Sequence, residues 1–295
     1  MKPPIPDLSG RLCVVTGAAS GIGRATAVEA AGRGARLVLV DINAEPLAGV
    51  AAQLGEAVVL QRALDVADYD AVRMLADDVH AAHGPADVVM NIAGIATWGS
   101  VEQLTHEQWR RTVEVNLMGP IHVIECFVPA IIAAKRRGQI VNVSSAAGLL
   151  GLPLHAPYSA TKFGLRGISE VLRFDLRRRH IGVTLVCPGA VDTGLVQTVD
   201  IAGVSAEARQ ASGLTDRFRR HAAPPEKVAR QIVDAVTHNR FLVYTSLDIR
   251  LVYLVERIAP RAYAFGMQIA NDVFQRVLRR TAERGARESV TLVSR

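Results

Sequence analysis

Short apolar runs rich in Val, Leu and Ile alternate along the chain with longer stretches whose apolar residues recur at helical spacing. Candidate strands are LCVVTG (12–17), RLVLVD (36–41), AVVLQ (57–61), DVVMN (87–91), QIVNVS (139–144), GVTLVC (182–187) and FLVYT (241–245). These runs are continuous rather than alternating, which suits strands covered on both faces. Helical periodicity fills the intervals, as in GRATAVEAAGRG (23–34), YDAVRMLADDVHAAHG (69–84) and SEVLRFDLRRRH (169–180). Strand-helix alternation at this spacing predicts an α/β fold, a doubly wound parallel sheet of about seven strands with right-handed crossovers. Such sheets bind ligands at the C-terminal ends of their strands.

Past Thr245 the pattern changes. Leu247, Leu251, Leu254, Val255 and Ile258 share one helical face before Pro260 stops the run. A second stripe follows at Tyr263, Met267, Ala270, Phe274 and Val277. The expectation is one domain over residues 8–245, then a C-terminal extension, 246–295, of two amphipathic helices whose end loses order from about Thr281.

Composition narrows the class. Of 295 residues, 49% are apolar and 21% charged, so the chain can bury a core and wholesale disorder is excluded. Three cysteines, Cys13, Cys126 and Cys187, are an odd and widely spaced set. That argues against a disulfide framework and fits a reducing compartment, hence a cytoplasmic protein. The eight histidines are scattered and no Cys/His/Asp cluster has metal spacing, so no metal is expected. The start, MKPPIPDLSG, lacks the apolar run of a secretory signal, and no continuous apolar stretch has the length of a spanning helix.

Charge is uneven. Residues 1–200 carry 18 basic and 19 acidic side chains, whereas residues 201–295 carry 16 and 9. No nucleic-acid-binding motif accompanies the basic excess, and aromatics are sparse. The C-terminal helices leave three readings open: packing over a lid formed by Leu195–Pro225, contact between subunits of a homodimer or homotetramer, or peripheral contact with an anionic membrane.

Chemistry concentrates at strand ends. VVTGAASGIGRA places Gly17, Gly21 and Gly23, with Ser20 and Ile22 between them, after a strand and at the opening of a helix. Glycines let the backbone turn tightly and approach a pyrophosphate, and the helix N-terminus offers N–H groups to its oxygens. Asp41 ends the next strand, where a carboxylate can accept both ribose hydroxyls and repels a 2′-phosphate. No Arg or Lys stands in LVLVDINAE. The pair therefore predicts a Rossmann-type nucleotide site that takes NAD rather than NADP.

From Gly138 to Thr161 the chain has no Asp, Glu, Lys or Arg, and then Lys162 appears four residues after Tyr158. On a helix these two share a face. At an effective dielectric of about 20, a cation ~4 Å away favours phenolate by about 4 kcal/mol, drawing the phenol from about 10 toward 7, with desolvation opposing. Ser145 lies 13 residues before Tyr158 at a strand end, where a neutral hydroxyl can hold a substrate oxygen. By chance a Tyr-x-x-x-Lys arises in roughly 7% of shuffled chains of this composition, and with a serine 13 upstream in about 0.3%.

With these residues in place the chain resembles the short-chain dehydrogenase/reductase family over about residues 8–245. The resemblance is carried by Thr16-Gly17-x-x-x-Gly21-x-Gly23, Asp65, Asn91-x-Ala93-Gly94, Asn116, Ser145, Tyr158-x-x-x-Lys162 and Pro188-Gly189. It implies an NAD(P)-dependent oxidoreductase with Tyr158 as acid/base and Ser145, rather than Ser144, holding the substrate oxygen. It also implies that Lys162 binds the nicotinamide ribose and that Asn116 begins a water relay to Lys162. Asp65, Val66, Asn91, Ala93 and Gly94 are implied cofactor contacts, with Pro188, Gly189, Val191 and Thr193 at the nicotinamide. The chain departs from the pattern at Ile92, where many members have a second Asn, and Asn91 is left as the polar anchor.

The surroundings suggest a substrate. Thr97, Trp98, Leu149, Leu152, Leu154 and His155 are expected near the pocket and are mostly apolar, favouring a lipophilic secondary alcohol or ketone. Leu195–Pro225 follows a strand end and has the length of a lid. Two other classes stand beside the oxidoreductase: a non-catalytic nucleotide-sensing protein, and a relative performing dehydration, epimerisation or enoyl reduction.

Overall fold

The structure, a computed structural model, describes residues 3–204 and 222–293. Its strands are β1 (Leu12–Thr16), β2 (Arg36–Asp41), β3 (Val58–Ala63), β4 (Val88–Asn91), β5 (Thr97–Trp98), β6 (Gly138–Val143), β7 (Ile181–Cys187), β8 (Asp200–Ile201) and β9 (Leu242–Tyr244). Its helices are α1 (Gly21–Gly32), α2 (Ala44–Leu54), α3 (Tyr69–His83), α4 (His106–Val113), α5 (Gly119–Ala133), α6 (Ala156–Asp175), α7 (Gly194–Gln197), α8 (Pro225–Thr237), α9 (Leu247–Ile258) and α10 (Pro260–Val293).

All seven expected strands form one parallel sheet in the order β3-β2-β1-β4-β6-β7-β9. The order reverses between β1 and β4, which opens the crevice where doubly wound sheets hold ligands. The central strands β1, β4, β6 and β7 are buried along their whole lengths, because helices cover both faces. One face packs on α1 and α8 through Ala27, Ala30, Val228, Ile232 and Val236. The other packs on α3 and α5 through Val72, Leu75, Val123, Phe127 and Ile131.

His106–Ala133 is one continuous helical run, long and apolar enough on average to cross a membrane. Its apolar residues are instead core: Phe127 and Ile131 are fully buried against the sheet. Between α4 and α5 the run is wound as π-helix over Glu114–Met118, a local widening that turns Asn116 inward to complete burial.

Two elements escaped the sequence pattern. β5 and β8 form a separate two-stranded parallel sheet of two residues each, Thr97 opposite Asp200 and Trp98 opposite Ile201. Pairs so short carry no periodicity to read. Only the ends of the expected lid, Leu195–Pro225, are seen: part of α7 and β8 at one end, Ala222–Pro225 at the other. Residues 205–221 lie outside the described residues.

In the C-terminal extension the helix α10 runs through Val293. Ala, Glu and Arg, strong helix formers, dominate TAERGARE (281–288), and local propensity accounts for the continuation. α9 is anchored by Ile249, which packs with Leu149 and Leu150. α10 is anchored by Tyr263, whose hydroxyl donates to the Gly151 carbonyl at 3.1 Å.

Candidate active site

The turn after β1 is held by Thr16. Its hydroxyl oxygen accepts the N–H groups of Ile92 (3.0 Å) and Ala93 (3.1 Å), tying the end of β1 to the loop after β4. Gly17 has φ +70, and a Cβ there would lie 2.9 Å from the Ala93 backbone. A Cβ on Gly23 would overlap the carbonyl oxygen of Gly17, so glycine is what lets α1 pack on the turn. Ser20 precedes α1 without capping it by a side-chain hydrogen bond, which leaves the first N–H groups available to an anion.

Asp41 closes β2 and is buried. Its carboxylate accepts from the Ala19 N–H at 3.0 Å and from Asn43 N–H and Nδ2 at 2.9 and 3.0 Å. Three of roughly four acceptor directions are used, which orients the group and leaves it one more. Asp65 accepts from the Ala67 N–H at 3.0 Å and pairs with Arg111 Nη2 at 2.8 Å. Arg111 comes from α4, and no local spacing could have linked it to an acid 46 positions earlier.

These groups open onto one cleft of about 610 Å³ that also contains Ser145, Tyr158 and Lys162. Of the site residues expected from sequence, Asn91 and Asn116 alone do not line it. Asn91 faces into the sheet. Its amide donates to Asn142 Oδ1 at 2.9 Å inside the sheet, and Asn142 in turn donates to Ser169 at 2.9 Å, so it braces β4, β6 and α6. Asn116 acts on the loop after β4 through both ends of its amide. Nδ2 donates to the Ile95 carbonyl and Oδ1 accepts the Ile95 N–H, each at 2.8 Å. A Cβ on Gly94 would sit 3.0 Å from Asn116 Oδ1 and 3.5 Å from Lys162 Nζ, so Gly94 marks the point where both converge.

Tyr158 and Lys162 lie on the first turns of α6, with Nζ 5.6 Å from the phenol ring centroid. Lys162 is buried, its Nζ donating to the Val143 carbonyl at 3.1 Å, and burial pushes it down to about 8. Ser145 caps the short turn at Ala146–Gly148, accepting the Ala147 N–H at 3.1 Å, and its hydroxyl meets the Tyr158 phenol. Ser144 instead donates to the Lys162 carbonyl at 2.9 Å, which makes it a brace of α6.

The expected fall of the Tyr158 pKa is not what this geometry produces. Burial pushes the phenol above its ordinary value, and the Ser145 hydrogen bond only partly offsets that. Desolvation penalises both phenolate and ammonium here, and it outweighs their attraction. Cys187, pushed up to about 12 by burial, is a packed thiol beside the site.

Among the expected pocket-wall residues, Trp98, Leu152 and His155 line the cleft. Thr97 is turned away to accept from Thr112 at 3.0 Å, and Leu149 lies in the cluster under α9. Leu154 is not part of the lining; it bends the chain at φ +65 ahead of His155.

The cradle fits a dinucleotide: a glycine turn that a Cβ would fill, uncapped helical N–H groups, and an oriented carboxylate at the ribose position. Fold and site together define a dinucleotide-binding α/β protein with a Ser-Tyr-Lys set at the cleft. Among the described residues no group of three His, Cys, Asp or Glu could hold a metal ion. The short chain dehydrogenase family model matches residues 11–202. A putative oxidoreductase of Mycobacterium tuberculosis, SadH, is 35% identical over 262 residues, covering 87% of this chain and 94% of that protein. A short-chain dehydrogenase/reductase from Burkholderia phymatum in complex with NAD superposes with a TM-score of 0.78 at 29% identity, over 86% of this chain and 95% of that one. A metagenomic short-chain oxidoreductase in complex with NADP gives a TM-score of 0.64 at 32% identity, over 80% and 96%. The chain belongs to the short-chain dehydrogenase/reductase family and is a short-chain oxidoreductase.

Proposed function

We propose that this oxidoreductase interconverts a lipophilic secondary alcohol and its ketone using NAD(H), with residues 8–245 as the catalytic unit. The observation that carries the reading is that Ser145, Tyr158 and the buried Lys162 line the same cleft as the glycine turn, with Lys162 Nζ 5.6 Å from the Tyr158 ring centroid. NAD(H), when bound, supplies or takes up the hydride. Gly17, Ser20, Gly21, Ile22 and Gly23 would hold its pyrophosphate; Asp41 would hold the adenosine ribose, and Asp65 and Val66 the adenine. Ala93, Gly94, Pro188, Gly189, Val191 and Thr193 would hold the nicotinamide half.

Ser145 and Tyr158 hold the substrate oxygen between two hydroxyls. A phenol kept protonated by burial is the form that donates to a ketone oxygen, and Tyr158 Oη gives its proton there as the alcohol forms. Lys162 offsets the phenolate left behind, at a site where water does not screen it. Asn116 fixes the loop at Ile95 and would begin a proton relay toward Lys162. Apolar walls at Leu152 and Trp98 support a lipophilic substrate.

NAD is chosen over NADP on charge. Asp41 opposes a 2′-phosphate, Ile42 and Asn43 beside it are neutral, and Arg111 is already paired with Asp65. Substituting Tyr158→Phe is expected to preserve NADH binding by fluorescence titration and abolish turnover of an alcohol panel. Turnover equal to wild type would remove Tyr158 from the chemistry.

Two surfaces support further assignments. The outer side of α6 exposes Phe163, Val171 and Phe174 along one stripe, which suits a homodimer or homotetramer. α9 and α10 expose Leu247 (75%), Leu251, Ile258 (71%), Phe265 (65%) and Ile269, while residues 246–295 hold nine Arg against five acids. An apolar row flanked by net positive charge supports peripheral contact of a cytoplasmic enzyme with an anionic membrane surface. The three cysteines are unpaired, which suits that reducing compartment. Flotation with phosphatidylserine-containing vesicles should retain the full chain and release a Leu251→Glu/Ile258→Glu variant. Equal partitioning of both would remove the membrane assignment.

A further inference from the structure

His155 stands at the start of α6, one turn before Tyr158, with its ring 6.3 Å from the phenol ring, centroid to centroid. Leu154 holds a left-handed φ of +65 just before it, a conformation costly for a non-glycine residue. That bend is held by the Gly99 N–H, which donates to the Leu154 carbonyl at 2.8 Å. The imidazole packs on Trp98 at a 40° tilt with the ring centroids 4.6 Å apart, and the strand β5 that carries Trp98 pairs with β8. The ring is thus held at the cleft wall by its contacts with Trp98 and Tyr158 and by the bend at Leu154.

Its tautomer is fixed as well. Nδ1 lies 2.6 Å from the Pro153 carbonyl, which has no proton to give, so Nδ1 carries the hydrogen. The ring is kept neutral: burial lowers the His155 pKa, and among the described residues the groups packed on it, Trp98, Tyr158 and the Pro153 carbonyl, bring no charge. Nε2 is then an acceptor only. It has no hydrogen-bond partner among the described residues, and it is not among the polar atoms sealed inside the protein. The ring lines the cleft, so this lone pair is open to what enters it.

We propose that His155 Nε2 is a specificity determinant, accepting a hydrogen bond from a second hydroxyl on the substrate, close to the carbon that reacts at Tyr158. The preferred substrates are then 1,2- or 1,3-diols and the matching hydroxyketones, with an apolar remainder against Leu152 and Trp98. This rests on the dehydrogenase reading above. A mono-alcohol leaves Nε2 desolvated and unpaired, and that penalty is what discriminates.

The test compares 1,2-octanediol with 2-octanol, and 1,3-octanediol with 3-octanol, in NAD-linked oxidation. In the wild type, kcat/KM is expected to favour the diol of at least one pair by roughly tenfold to a hundredfold. His155→Phe keeps the aromatic stack on Trp98 and should bring that ratio close to one. His155→Gln, which restores an acceptor oxygen, should recover part of it, and thermal melts report whether each variant folds. Equal kcat/KM for both pairs in the wild type, or a ratio unmoved by His155→Phe, overturns the proposal. Absence of turnover with all four alcohols overturns instead the dehydrogenase reading beneath it, and a preference that survives in both variants assigns the second hydroxyl to another group.

Discussion

Lys162→Met should stabilise this protein at neutral pH while abolishing its activity. Methionine has nearly the length of lysine and no charge, so the perturbation removes the ammonium and keeps the packing. The lysine falls from 10.5 to about 8 on folding because its ammonium leaves water. A shift of that size corresponds to a cost of about 3 kcal/mol below pH 8. Against it stands the hydrogen bond from Nζ to the Val143 carbonyl, about 1 kcal/mol. The variant should thus gain about 2 kcal/mol at pH 7.

The sign reverses with pH. Between pH 8 and 10.5 the folded lysine has released its proton while the unfolded chain still binds one, so wild-type stability rises through that window. In the other direction that gain is lost as pH falls from 10.5 to 8, and below 8 this group no longer makes stability depend on pH. The variant lacks this titration, and its advantage should shrink steadily toward pH 10, while Tyr158, common to both chains, largely cancels in the difference. Urea unfolding of both proteins at pH 7, 8, 9 and 10, followed by tryptophan fluorescence, measures it. A stability difference independent of pH would falsify the account of Lys162 as a desolvated ammonium.

Other consequences follow from the same contacts. Gly23→Ala should cost about 1–3 kcal/mol and weaken NADH binding at least roughly tenfold, since its methyl overlaps the Gly17 carbonyl oxygen; an unchanged Kd would contradict the turn's role. Asp87→Ala removes a buried carboxylate that accepts the Leu12 N–H at 2.9 Å and pairs with Arg11 and Arg136 at 3.3 and 2.7 Å. A loss of about 3 kcal/mol is expected in denaturant unfolding, and under roughly 1 kcal/mol would show that the arginines are satisfied elsewhere. Because burial raises the Tyr158 pKa, alcohol oxidation should climb with pH, whereas ketone reduction holds until the phenol deprotonates; parallel pH profiles would refute this. Cys13 and Cys187 are buried thiols with raised pKa values, so an aromatic disulfide reagent should label at most Cys126 in the native protein and all three in denaturant.

The amino-acid sequence by itself determined the sheet, the glycine turn and the Ser-Tyr-Lys set. Each is local: a continuous apolar run marks a doubly covered strand, three glycines mark a turn, and four-residue spacing puts Tyr158 and Lys162 on one face of α6. The tertiary structure decided whatever depended on pairing at a distance. Arg111 reached Asp65 because α4 brings it to the wall of the same cleft, and Asn91 turned into the sheet because Asn142 on the neighbouring strand offered it a partner. Asn116 came to hold Ile95 through a π-wound turn that no periodicity announces. Burial, too, belongs to the assembled fold. Two groups four residues apart attract in any chain, but only the closed core around α6 makes desolvation exceed that attraction, raising the phenol and lowering the ammonium.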